Sequence, residues 1–179
     1  MLQSLRRYIG TKYGILTIQS TKDTQQDLTS FYSTSKNVFV IMPDDVHLSE
    51  LALTVVKFLE KKFQGYNCVV IASAQVANLV SQYTKTQVVR FKESDINYFF
   101  LPKQTFINRF KKRQYDVVID LNFEFVIFAA YLSNKIPSQY RVSFTKEYGD
   151  YFYNIQYRYI TSQSKQLAYN SLCEFLEQF

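Results

Sequence analysis

Two adjacent carboxylates, Asp44 and Asp45, and the only histidine, His47, sit together in the stretch VFVIMPDDVHLSELALTVVKFL, residues 38–59. General-base chemistry needs a carboxylate within hydrogen-bond reach of an acceptor hydroxyl and desolvated enough to take up its proton. Asp45 is the candidate for that role, with Asp44 and His47 as ligand contacts. The ordinary reading competes with it, because an Asp opening a helix satisfies free backbone N–H groups and the positive end of the dipole. Glu50 suits the same helix start, through a capping box. A lone histidine without Cys, His or carboxylate partners at ligand spacing does not mark a metal site, so no metal is expected.

A second acidic pair, Asp120 and Glu124, follows the strand-like run YDVVIDL, residues 115–121. Carboxylates there could meet a sugar hydroxyl or simply face water in a turn. Further on, Arg141, Lys146 and Arg158 are interleaved with Tyr140, Tyr148, Tyr151, Tyr153 and Tyr157. Arg with Tyr suits phosphate, a sugar face or a protein partner. Arg141 and Arg158 are therefore candidate ligand contacts, and the Tyr-rich segment is a candidate surface for a protein partner or a second copy of the chain.

The elements that must position these residues alternate. Residues 38–42 form an apolar run expected to be a strand covered on both faces, and 47–63 repeat apolar residues at helical spacing until Gly65. The alternation continues with strand 68–72, helix 74–83 and strand 87–91. A longer connection, 92–102, leads to a helix over 104–113 that ends in Lys111, Lys112 and Arg113, where cations complement the dipole. Strand 115–121, an apolar helix over 123–133, a short strand 141–144 and a last helix over 163–179 complete the order. The segment YGDYFYNIQYRYI, residues 148–160, is strand-like in its second half. Strands alternating with helices imply parallel pairing and right-handed crossovers. The expected fold is a three-layer α/β/α Rossmann-like sandwich with a mainly parallel sheet, occupying residues 37–179. Residues 1–36 read as an N-terminal extension and polar linker, with 22–36 rich in Ser, Thr and Gln.

A chain of 179 residues with 47% hydrophobic and 20% charged residues is of globular composition. Its formal charge of +6 allows attraction to anionic ligands or lipid without selecting one. No nucleic-acid module is present, so no nucleic-acid partner is expected. Cys68 and Cys173 lie far apart, which fits buried free thiols in a reducing compartment. No apolar run reaches membrane-spanning length, so a soluble cytoplasmic protein is expected, with peripheral membrane contact left open. The chain has four glycines and neither GxxxxGK nor GxGxxG, which argues against close backbone approach to a pyrophosphate and against a bound nucleotide cofactor.

The order of elements and several motifs resemble the N-terminal, acceptor-side half of the heptosyltransferase family of glycosyltransferases. That family opens with a strand, a loop containing Gly-Asp-Val and a helix; here Asp45 and Val46 match, Asp44 takes the glycine position, and the loop is shorter. FKKRQYDVVIDLN (110–122) is similar to the family's basic helix and YDxVIDL strand. FEFVIFAAYLS and YRVSF resemble the segment leading to an Arg-Val/Ile-Gly-Phe sequence, with Ser143 in place of the glycine. The resemblance spans about residues 36–179. It implies that Asp45 corresponds to the family's general base, and that the nucleotide-sugar site belongs to a second domain outside this stretch. The expected function is a glycosyltransferase-like domain without transfer of its own, acting as a binding or interaction module. The alternative is the acceptor half of a two-chain or homodimeric transferase that uses Asp45 as base.

Overall fold

A computed structural model describes residues 2–18, 28–29, 31–63, 67–160 and 162–179. In chain order the elements are α1 (Leu2–Ile18), α2 (Phe31–Thr34), β1 (Val38–Ile41), α3 (Val46–Lys62), β2 (Cys68–Ala72), α4 (Ala74–Tyr83), β3 (Gln87–Arg90) and α5 (Gln104–Ile107). They continue with β4 (Tyr115–Asp120), α6 (Ile127–Lys135), β5 (Ser138–Phe144), α7 (Gly149–Phe152), β6 (Ile155–Tyr157) and α8 (Lys165–Glu177).

The six strands form one sheet in the order β3-β2-β1-β4-β5-β6, and every pairing is parallel. Both central strands that read as continuous apolar runs, β1 and β2, are buried at every position. The cause is coverage on both faces, which leaves no position for a polar alternation. Val38, Val40, Cys68, Val70, Val117 and Ile119 point to one layer, closed by α2, α3, α4 and α8. Phe39, Ile41, Val69, Ile71 and Val118 point to the other, closed by α5 and α6. The three-layer α/β/α Rossmann-like sandwich is the observed architecture.

Three elements depart from the sequence expectation. The helix expected over 104–113 keeps only α5, after which the chain tightens into i→i+3 hydrogen bonds ending with the N–H of Arg113 on the carbonyl of Phe110. The basic run therefore does not close a helix; Arg113 reaches back to the side-chain oxygens of Asn37 and Asn67. Helix α6 starts at Ile127 rather than 123. Phe123 is drawn into the opposite layer, stacked on Phe144 at 4.3 Å and tilted against Tyr169, so it cannot also join a helix facing α5. Strand β5 begins at Ser138, since its pairing with β4 starts at Tyr115.

Residues 31–36, read as part of a polar linker, carry Phe31 and Tyr32 into the core beside Tyr140, Phe58 and Phe63. Helix α1 lies on α6 and α7, where Ile15 and Ile18 meet Ile127, Ala130 and Phe152. Gly65 falls outside the described residues. Both cysteines are free, Cys68 buried and Cys173 half-buried. Among the described residues, no helix is long and apolar enough to cross a membrane.

Candidate functional site

The sheet order reverses between β1 and β4, and ligands in such folds gather outside the carboxyl ends of the strands at that point. Residues 42–45 leave β1 there, and residues 121–126 leave β4. Asp45, in extended backbone, is the N-cap of α3: its Oδ1 accepts the N–H of Leu48 at 2.8 Å. The hydroxyl of Ser49 donates to the carbonyl of Pro43 at 2.7 Å and fixes the turn from the other side. Asp44, Asp45 and His47 are all exposed. Glu50 makes no capping box, because the third residue after the cap is Leu48; its carboxylate lies 3.8 Å from Nδ1 of His47 instead. Such an exposed pair contributes little.

At the end of β4 the arrangement is different. Asp120 is fully buried and its carboxylate gathers four donors. Oδ1 accepts the backbone N–H of Asn122 at 3.0 Å and its side-chain amide at 2.6 Å. Oδ2 accepts Nζ of Lys146 at 2.9 Å and the phenol of Tyr153 at 2.5 Å. Lys146 also donates to the carbonyl of Asn122 at 2.5 Å. Burial, and then the neighbouring Asp120 charge and its hydrogen bond, push the Tyr153 phenol well above its ordinary range, so it stays a neutral donor. A carboxylate with every acceptor direction occupied is poorly suited to receive a substrate proton. Its geometry is that of a clamp tying the β4 exit to the β5 exit and to the residue after α7.

Arg141 is part of the same buried layer. Its Nε donates to the carbonyl of Phe152 at 2.9 Å, and its backbone N–H donates to Oδ1 of Asn154 at 2.7 Å. Glu124 and Arg158 are exposed. The structure thus leaves Asp44, Asp45, His47, Glu124 and Arg158 facing water and takes Asp120 and Arg141 inside. Of the five tyrosines in the candidate surface, Tyr140 and Tyr153 are buried, Tyr148 and Tyr157 are half-buried, and Tyr151 is exposed.

Tyr169 ties α8 to the β4 exit. Its hydroxyl donates to the carbonyl of Leu121 at 2.9 Å, and burial, then the charges of Asp120 and Asp45, raise its phenol above the usual range. Sequence reasoning missed Tyr169, whose partner lies 48 residues away, and Asn122. The local signal for the Asn122 contact lay in Asp120 itself, since Asp favours an Asx turn in which its carboxylate accepts the N–H two residues on. Among the described residues, no group of His, Cys, Asp and Glu side chains could hold a metal ion.

Neither a protein-family model nor a curated protein matches the sequence. Solved structures do match the fold. The E. coli heptosyltransferase WaaC with ADP superposes with a TM-score of 0.61, and the same enzyme with ADP-2-deoxy-2-fluoro heptose with 0.63. The fold is heptosyltransferase-like. Each match covers 78% of this chain at 14% identity. The chain spans less than half the length of the WaaC structures it matches, 46% of one and 47% of the other. The shared part is a heptosyltransferase-like sheet with its helices, and at this identity the likeness concerns the fold alone.

Proposed function

We propose that this chain is a heptosyltransferase-like binding or interaction module that carries out no sugar transfer of its own. One observation carries the reading: both strand-end carboxylates at the switch point are engaged in structure, Asp45 as the cap of α3 and Asp120 as the buried clamp with Lys146, Tyr153 and Asn122. The module would present Asp44, His47, Glu124 and Arg158, exposed residues around the strand ends, to a sugar or phosphorylated ligand other than a nucleotide sugar, or to a protein surface. Two free thiols suit a reducing compartment, and the reading places the protein in the cytoplasm.

WaaC has been solved with ADP and with an ADP-heptose analogue, which makes these the ligands to titrate. Calorimetric titration of the full chain with ADP-2-deoxy-2-fluoro heptose should give no saturable binding. Tight, saturable binding would defeat the proposal.

A second reading rests on the position of Asp45. It is exposed, at the carboxyl end of β1, where the sheet order reverses. In that reading the chain is the acceptor-binding half of a two-chain or homodimeric glycosyltransferase, with Asp45 as general base. Mixing with a donor-binding chain should then produce turnover that Asp45→Asn removes.

A further inference from the structure

Helix α1 is apolar on two sides. Its inner side is small and tightly seated: an added Cβ at Gly10 would lie 2.1 Å from the carbonyl oxygen of Phe99, and Gly14 rests on Ile127, Tyr131 and Phe152. Its outer side bears Leu2, Leu5, Ile9 and Leu16, which are 75%, 56%, 41% and 71% exposed and fall on one stripe at helical spacing. Tyr8 and Tyr13 flank that stripe, and Tyr98 and Phe99 of the adjoining loop extend it. Isolated exposed leucines need no explanation, but a contiguous apolar face of this kind marks a docking surface.

The charge on the helix identifies the occupant. Arg6, Arg7 and Lys12 contribute three positive charges to α1, which contains no acid, and so make up half of the formal +6 of the chain. They are held beside aromatic rings at the rim. Nε of Arg6 donates to the carbonyl of Tyr98 at 2.8 Å, and its guanidinium lies 3.7 Å from the centre of that ring. Arg7 lies over Phe100 at 4.9 Å and Lys12 over Tyr8 at 5.5 Å. A second copy of the same face would set these cations against their own kind, which opposes a two-fold contact.

We propose that α1 and the Tyr98–Phe99 loop dock on an anionic phospholipid surface. The leucines and Ile9 would enter the acyl boundary, the tyrosines would sit at headgroup level, and the basic side chains would reach lipid phosphates. A helix of 17 residues is about 25 Å long and lies in the interface rather than spanning it.

Sedimentation of the full chain with vesicles tests this. Binding to vesicles of equal parts phosphatidylserine and phosphatidylcholine should exceed binding to pure phosphatidylcholine by roughly tenfold or more, and should fall as salt is raised. Leu5→Asp with Leu16→Asp should abolish it without moving the melting transition, since both side chains are exposed. The chain has no Trp, so Leu16→Trp gives a single reporter whose emission should shift to the blue on the anionic vesicles alone. No binding to either vesicle overturns the proposal. So does binding that survives the double substitution, or a dimer in light scattering that the double substitution dissociates.

Discussion

The ammonium of Lys146 lies 2.9 Å from Oδ2 of Asp120, and neither side chain meets solvent, at 2% and 0% exposure. Desolvating both charges is costly, and the pair persists because Asn122 and Tyr153 satisfy the remaining acceptor positions of the carboxylate. Removing one partner leaves the other charge buried and alone. Lys146→Met should cost about 3–5 kcal/mol in urea unfolding. Adding Asp120→Asn to that variant should restore roughly 1 kcal/mol or more, because the two sites share one network.

Two buried tyrosines should respond in opposite directions. The phenol of Tyr153 donates to a carboxylate, so Tyr153→Phe should destabilise by about 1–3 kcal/mol. The hydroxyl of Tyr32 is buried with no hydrogen-bond partner among the described residues, while its ring stacks on Phe58 at 5.8 Å. Tyr32→Phe keeps the ring and removes the orphan. Its unfolding midpoint should stay level or rise.

The two inner glycines of α1 should also separate. Gly10→Ala forces the helix off the backbone of Phe99 and should cost roughly 1–3 kcal/mol. At Gly14 the nearest atom is Cδ1 of Ile127 at 3.2 Å, the end of a flexible side chain. There the gain in helix propensity, about 1 kcal/mol, offsets the adjustment, and Gly14→Ala should be close to neutral in thermal melts.

Much of this was legible in the sequence. The strands β1 and β2 declared themselves as apolar runs, β4 as the strand-like run YDVVIDL, α3 had a clear period, and Asp45 already read as a cap. Asp120 was placed correctly at a strand end and expected to face a ligand. It lies inside because Lys146 and Tyr153, 26 and 33 residues away, turn toward it. Local pattern does not encode such a meeting. The same holds for Arg141, whose burial depends on the Phe152 carbonyl, and for α6, delayed because Phe123 finds its place in the opposite layer.

Alkaline pH should loosen the fold. Burial pushes the Cys68 thiol up to about 12, with the Glu60 charge adding to it; burial, then Glu177 and Glu174, do the same for Cys173. Unfolded thiols ionise near 9.0 while these stay protonated in the native state, so the unfolded chain binds fewer protons above that pH. Their stabilisation is complete below pH 9 and is lost as pH climbs toward about 12. Cys68 alone gives a slope of about 1.4 kcal/mol per pH unit in that window. Urea unfolding across it should show the decline, and Cys68→Val should make it shallower.

Whether the heptosyltransferase-like fold retains chemistry is decided most directly by product formation. The purified chain would be incubated with ADP-heptose and a saccharide acceptor, with Asp45→Asn run alongside as a variant that keeps an N-capping side chain. No transfer above background from either protein is the expected result. Transfer by the chain alone that Asp45→Asn abolishes would contradict it.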